Sequence, residues 1–473
     1  MKNIYIAVFL IFSQALALPW AVARDEGENH KNNEGRLITL ADGIKIVSQD
    51  SRLIKIAFAD TQAAMQDLRV AFSPLLPQVT SLVTETWLVN QPAAKFGLLR
   101  VESADRQSLS AGVAVYQTLF DFGKSIADYK SAGEMLSGRQ ANLEIVRRAA
   151  VLEFILVYFD SLEAEKMVVV ARNQVKSLTA FAADIENLYE AGTAVKNDLL
   201  PARVRLSDAK VKLISARNNR AIYAARFNNI LALPLGEKVR IRDSRVEVAY
   251  LPGRDELWET AAAKRPEISF IAAQKKASAF REKSFRAQNR PKVFAEGGYS
   301  YAQNEYQVHQ DNAYVNVGVK FNVFDGQLSQ AQVSKEKYFQ KQTDLQREKL
   351  AEDIKFEIES SLLNFNNALE KTKVSREALS QAQENVRVTR IKYNSGSATT
   401  TEVLEAVTLQ TLAQTNYYDS QYDLKRNYAR LMYAAGMDLS LINETWPKSS
   451  PKSVNSLNEL TRPRHLWDGG GAD

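Results

Sequence analysis

The sequence predicts a mainly α-helical protein made of two tandem repeats, each a β-hairpin followed by a long α-helical hairpin. Three observations predict it: an internal repeat, two long segments almost free of Gly and Pro, and alternating apolar and polar residues ahead of each segment. The repeat comes first, because it fixes the order of the elements. A spacing of 204 residues separates three matched pairs: Asp121 and Asp325, Gly192 and Gly396, and Asp198 and Glu402.

The long segments predict helices of unusual length. Residues 327–395 contain neither Gly nor Pro, and the matching residues 124–191 contain only Gly133 and Gly138. A helix of this length would extend about 100 Å, so it must pack lengthwise on neighbours. A second helix should follow each tip glycine, Gly192 and Gly396, because a left-handed residue ends the first one. The expected helical hairpins cover residues 124–231 and 327–433, and a plain structural coiled coil is the alternative.

Alternating residues ahead of the long helices predict β-strands. Val315, Val317 and Val319 alternate with Asn316 and Gly318, which gives a strand one apolar and one polar face. Four strands are expected, at residues 78–89, 109–119, 293–302 and 314–323. Their length fits tilted membrane strands, and aromatic residues near their ends fit interfacial girdles. The alternative is a pair of soluble hairpins with aromatic cores.

Composition excludes several classes of protein. The chain has no Cys, three His and a net charge of +6 spread without basic runs. Disulfides, Cys-ligated metals and nucleic-acid binding are therefore not expected, and neither a cofactor nor a catalytic motif is predicted. Residues 1–23 have the pattern of a cleaved secretory signal, and no other segment reaches 18 apolar residues.

The strand count predicts an oligomer if the strands enter lipid. An open sheet edge leaves unpaired backbone groups there, so the strands must close into a barrel. Single-chain bacterial barrels have at least about eight strands, and this chain offers four. Two or three copies would supply eight or twelve strands.

The order of these elements resembles the TolC-like outer-membrane factors. The resemblance covers residues 37–440 and includes LADGI at 40–44, DSRL at 50–53, AKRPEI at 263–268 and both tip glycines. It implies a homotrimer with a twelve-stranded barrel in outer-membrane lipid, continued by a periplasmic helical tunnel. It also implies a periplasmic adaptor and an inner-membrane pump or ABC transporter as partners, with either small molecules or secreted proteins as cargo.

The resemblance divides the chain into repeats at residues 24–233 and 254–436. An equatorial segment at 234–253 would lie between them, with strand residues that include Val246 and Val248. Residues 437–473 would form a C-terminal equatorial segment and a disordered tail that begins at Trp446. A periplasmic adaptor and a structural coiled-coil envelope protein remain alternatives, although two hairpins argue against an adaptor.

The resemblance also implies sites at the helical tips. Asp198 and Tyr393 match an entrance latch, and Glu402 and Glu405 match an acidic pair that lines the tunnel entrance. Ala398 stands where the family can have a bracing Arg, so part of that latch is missing. The expected adaptor-docking residues are Gly192, Val195, Leu199, Gly396, Val403 and Leu404. Ordinary solvated helix polarity is the alternative for the four polar residues.

Overall fold

The computed structural model describes residues 36–243 and 252–442. The expected signal segment, Val246 and Val248, and the tail from Trp446 onward lie outside these residues. Within the two described ranges, no helix is long and apolar enough to cross a membrane.

The elements of the first repeat follow one another from Arg36 to Ile230. They are β1 (Arg36–Ile38), α1 (Leu40–Asp50), α2 (Arg52–Phe72), β2 (Gln78–Trp87), β3 (Ala93–Phe96), β4 (Leu99–Glu102), β5 (Gln107–Phe120), α3 (Lys124–Glu190) and α4 (Lys196–Ile230). The second repeat has the same plan without the small hairpin. Its elements are β6 (Val239–Ile241), α5 (Arg254–Lys264), α6 (Pro266–Ala287), β7 (Lys292–Ala302), β8 (Asp311–Lys320), α7 (Leu328–Asn394) and α8 (Thr400–Ala434).

Four long strands form one antiparallel sheet in the order β2-β5-β7-β8. The two repeats meet at its centre, where β5 pairs with β7. Strands β2 and β8 form the two edges, and they run in opposite directions. Both edge strands end where their partners end: Trp87 pairs with Gln107, and Lys320 pairs with Lys292. The expected extensions to residues 89 and 323 are therefore absent, because a strand needs a partner ladder.

The helices next to the sheet follow the order of the strands. Helix α2 packs on α3, α3 on α6, and α6 on α7. Each long strand is joined along the chain to one of these helices. Hence the four-stranded sheet continues into a layer of four helices in the same order.

The larger core lies near the middle of α3 and α7. Phe154, Tyr158 and Phe159 of α3 are fully buried, and the Phe154 ring lies 5.7 Å from that of Phe227 on α4. Helix α1 packs on this core, and so does the parallel pair of β1 and β6. This pair includes part of the expected equatorial segment.

A buried guanidinium ties the second repeat to this core. Arg265, between α5 and α6, has a side chain that is only 7% exposed. It forms ion pairs with Glu267 and Glu357, and it donates a hydrogen bond to the Ala434 carbonyl at 3.3 Å. These partners offset part of the cost of burying the charge.

Candidate functional site

One face of the sheet is apolar and exposed. Directly opposed residues share a face, and the pairs Val79 with Val115, Val293 with Val319, and Ala295 with Val317 are all apolar. Val317 is 71% exposed and Val79 is 66% exposed. An exposed apolar surface of this extent marks an interaction with lipid or with protein.

The other face of the sheet is largely polar. Thr80, Ser110, Asn312 and Asn316 lie on this face, as the register shows. The Tyr314 hydroxyl, on the same face, donates a hydrogen bond of 2.9 Å to the Glu296 carboxylate. The two faces therefore suit two different environments, one apolar and one aqueous.

The loops at the sheet end away from the helices are locked to each other. The Tyr306 hydroxyl donates to the Glu102 carboxylate at 2.9 Å, and the Glu305 N–H donates to the Asp105 carboxylate at 2.9 Å. The hairpin of β3 and β4, which belongs to this region, was not predicted from the sequence. Its Gly97 and Leu98 form a two-residue turn, which is a recognisable hairpin pattern.

The junctions between sheet and long helices explain the repeated Asp. The Asp121 carboxylate accepts a hydrogen bond from the Ser125 N–H at 2.9 Å, at the start of α3. The Asp325 carboxylate accepts from the Ser329 N–H at 3.0 Å, at the start of α7. Each Asp satisfies a donor that the first helical turn leaves unpaired. The sequence showed the spacing, but this role was not predicted from it.

The two helical tips have the same turn. Gly192 has φ +76° and Gly396 has φ +74°, both left-handed. The Thr193 N–H donates to the Leu188 carbonyl at 2.9 Å, and the Ser397 N–H donates to the Lys392 carbonyl at 2.8 Å. Each turn ends its helix with a Schellman motif, which glycine adopts without steric cost.

Three of the expected docking residues lie inside the protein. Leu199, Val403 and Leu404 are at most 5% exposed, in a cluster that also contains Phe181 and Ile185. Their side chains pack into this core, so they are not part of the exposed tip surface. They pack inward because the tips of both hairpins form one four-helix core. The other docking residues, Gly192, Val195 and Gly396, are exposed.

The structure does not join the two expected latch residues. The Tyr393 ring packs against the Phe181 ring, with centroids 5.2 Å apart. Asp198 is half-buried in the first turn of α4. Within the described residues, no hydrogen bond links Asp198 to Tyr393. Nor can the half-buried Ala398 contribute a bracing side chain.

The expected entrance carboxylates, Glu402 and Glu405, are both exposed at the start of α8. Glu402 has a second role, because it forms a capping box with Thr399. The Thr399 N–H donates to the Glu402 carboxylate at 2.6 Å, and the Glu402 N–H donates to the Thr399 hydroxyl at 3.3 Å. These hydrogen bonds hold the pKa of Glu402 below its usual value. Thr-x-x-Glu was visible in the sequence as a capping pattern.

No cluster of acidic or His side chains in the described part of the chain has the arrangement of a metal site. The features found are a two-faced sheet, long helices that continue it, and two matched tips. Together they define an elongated helical protein whose sheet has one face suited to an apolar environment and one suited to water.

The chain belongs to the outer membrane efflux protein family, whose family model matches residues 44–232 and 257–437. It is 21% identical to outer membrane protein TolC of Salmonella enteritidis over 446 residues, which cover 89% of this chain and 88% of TolC. This membership confirms the resemblance inferred from the sequence. It favours the export channel over the adaptor and coiled-coil alternatives, and the family is one of channels rather than enzymes.

Solved structures have the same fold. VceC from Vibrio cholerae matches with a TM-score of 0.71 and 14% identity, over 85% of this chain and 96% of VceC. The open state of the MtrE outer membrane channel of Neisseria gonorrhoeae matches with a TM-score of 0.70 and 16% identity, over 85% of this chain and 89% of MtrE. By its family membership the protein is an outer-membrane protein with a long periplasmic helical portion, as the sequence predicted.

Proposed function

We propose that three copies of this chain form a closed twelve-stranded barrel, continued by a helical tunnel, which carries cargo across the outer membrane. The observation that supports this most directly is that the sheet edges β2 and β8 have no partner strand among the described residues. In lipid, the backbone groups along an open edge have no water to pair with. Because β2 and β8 run in opposite directions, β8 of one copy can pair with β2 of the next in the same antiparallel pattern.

The helical layer supports three copies rather than two. Neighbouring helix axes lie about 10 Å apart, so twelve helices in a ring would have a diameter of about 38 Å between axes. Subtracting one helix width leaves a bore of roughly 28 Å. Eight helices would leave roughly 15 Å. The wider ring suits a duct for large cargo.

The duct would act with a periplasmic adaptor and an inner-membrane pump or ABC transporter. The adaptor would dock at the tips, where Gly192, Val195 and Gly396 are exposed. A glycine leaves room for close approach of another helix, as small residues do at helix contacts. Such a channel would carry small molecules or secreted proteins.

The entrance would be acidic. Glu402 and Glu405 are three residues apart on α8, so they share one face of the helix. Three copies would bring six carboxylates to one mouth, which would favour cations. Single-channel recording of Glu402→Gln with Glu405→Gln should show weaker cation selectivity than the wild type. Unchanged selectivity would remove these residues from the entrance.

Cysteine cross-linking tests the assembly, since the chain contains no Cys. Thr80→Cys on β2 is combined in turn with Asn312→Cys, Asn316→Cys or Lys320→Cys on β8, because the register between copies is open. The series should contain a pair that oxidises to a covalent species of three chains and no more. The trimer would be refuted by covalent species of more than three chains, by species of at most two chains, or by monomers throughout the series.

A matched control lies within the sheet. Thr84 on β2 and Ser110 on β5 are directly opposed in one chain. Cysteines at these positions should lose their free thiols, measured by thiol labelling, without a change in apparent mass, because the bond stays within the chain. This control separates failed oxidation from a failed assembly.

A further inference from the structure

A cationic cleft lies between α3 and α6, next to the sheet. Its volume is about 360 Å³, and four cationic side chains line it: Lys130, Lys283, Arg286 and Arg290. None of the described residues that line it is acidic. The surface is therefore strongly positive without an obvious structural reason.

Most of this charge is not neutralised within the described chain. The Nζ atoms of Lys130 and Lys283 lie 5.8 Å and 5.2 Å from the centroid of the Phe280 ring. The Cζ atom of Arg290 lies 5.4 Å from the centroid of the Phe122 ring. Arg286 alone forms an ion pair, with Glu282. Three cations held over aromatic rings keep their capacity to bind an anion.

The cleft begins where the apolar face of the sheet ends. Phe120, the last residue of β5, pairs with Val293 and so belongs to the apolar face. The Phe120 and Phe122 rings are 4.8 Å apart, and Arg290 covers Phe122. Because the helices are periplasmic, this boundary lies at the periplasmic leaflet of the outer membrane.

The cleft is complete within one chain. Helices α3 and α6 are the two inner members of the four-helix layer, whereas α2 and α7 form its edges. Another copy would join at an edge and leave the cleft open. The position one repeat beyond Lys130 is Ser334, so the strand-to-helix junction itself does not require a cation.

We propose that this cleft binds the phosphate group of an anionic phospholipid in the periplasmic leaflet. Lys130, Lys283 and Arg290 would contact the phosphate, since Arg and Lys are the usual phosphate-binding side chains. The acyl chains would lie along Phe120 and the apolar face above it. A zwitterionic headgroup binds less well, because its own ammonium is repelled by the same cations. The inference rests on the outer-membrane location and is independent of the number of copies.

Native mass spectrometry of the detergent-solubilised protein tests the site. Phosphatidylglycerol and phosphatidylcholine with identical acyl chains are titrated separately, and the fraction of protein with bound lipid is measured. The wild type should bind phosphatidylglycerol about tenfold more tightly, which corresponds to about 1.4 kcal/mol. Lys130→Gln, Lys283→Gln and Arg290→Gln together should abolish the preference. Equal binding of both lipids by the wild type would overturn the proposal, as would a preference that survives in the triple variant.

Two controls and a competitor complete the design. Arg205→Gln, Lys210→Gln and Arg217→Gln remove three exposed cations from α4 and should leave the preference intact. Lys130→Arg with Lys283→Arg keeps the charge and should also retain it. Millimolar inorganic phosphate should fail to displace the lipid, since it lacks the acyl chains. Displacement by phosphate alone, or loss of the preference in either control, would overturn the assignment to a lipid.

Discussion

The contact between α1 and α3 offers a sharp test of the packing, because two opposing effects act at Gly43. A Cβ at Gly43 would lie 1.9 Å from Cζ of Phe154, far inside any real carbon contact. Phe154 is fully buried between the rings of Tyr158 and Phe227, so it cannot move away freely. Overpacking of this kind costs about 1–3 kcal/mol, whereas Ala is favoured over Gly in a helix by about 1 kcal/mol.

We expect Gly43→Ala to destabilise the docking of α1 by about 1–2 kcal/mol, because an overlap of more than 1 Å lies at the costly end of that range. Hydrogen exchange at the α1 amides should then become about 5–30 times faster. Gly133→Ala is the matched control, since its Cβ would lie 3.9 Å from Leu68 Cδ1, an ordinary contact. It should leave exchange unchanged or slower. Unchanged or slower exchange in Gly43→Ala would refute the packing argument.

A second variant shows whether Phe154 is the cause. Phe154→Leu removes the ring atoms that the new methyl group meets. Gly43→Ala should therefore cost less in the Phe154→Leu background than in the wild type. Equal costs in the two backgrounds would place the effect elsewhere.

Three further outcomes follow from the tips and the core. Gly396→Val should destabilise the second tip turn by about 1–2 kcal/mol and weaken adaptor cross-linking, because valine is strained in a left-handed backbone. Gly396→Asn is the control, because asparagine tolerates this conformation. Equal hydrogen exchange near Ser397 in both variants would contradict this. Arg265→Leu should cost about 1.5–3 kcal/mol in urea unfolding, because Glu267 and Glu357 lose their partner but remain 20% and 39% exposed to water, and Glu357→Gln should cost less. Glu402 has a lowered pKa, so its capping contribution is present above the ordinary value of 4.5 and is lost as the pH falls through the lowered value. A spin label on Ser397→Cys should become more mobile in that acidic range only while Glu402 is present, and identical mobility curves for Glu402→Gln would refute this.

The sequence predicted the outer-membrane family, because the repeat spacing and the tip glycines can be recognised from the order of the residues alone. It did not predict which strands pair between the repeats, since the meeting of β5 and β7 depends on contacts nearly 200 residues apart in the chain. Nor could it decide where Val403 and Leu404 point. Apolar residues after a tip can face a partner or the neighbouring hairpin, and only the four-helix packing shows that they face inward.

Some residues have a role in the fold besides the one that the resemblance implies. Glu402 matches an entrance residue, and it also forms a capping box with Thr399. Asp121 and Asp325 were used as markers of the repeat, while their hydrogen bonds to Ser125 and Ser329 explain why an acid stands there. The cationic cleft could not be predicted, because Lys130 and Arg290 are far apart in the sequence and are brought together only by the pairing of α3 with α6.

The equal lengths of the two helical hairpins constrain how such a protein can change over generations. Helices α3 and α7 each have 67 residues, and α4 and α8 each have 35. An insertion of seven residues in each helix of one hairpin would move its tip by about 10 Å relative to the tip of the other hairpin. The buried contacts between Leu199, Val403 and Leu404 would then be lost. A lineage in which the helical portion becomes longer or shorter must therefore change both hairpins together, by equal numbers of helical turns.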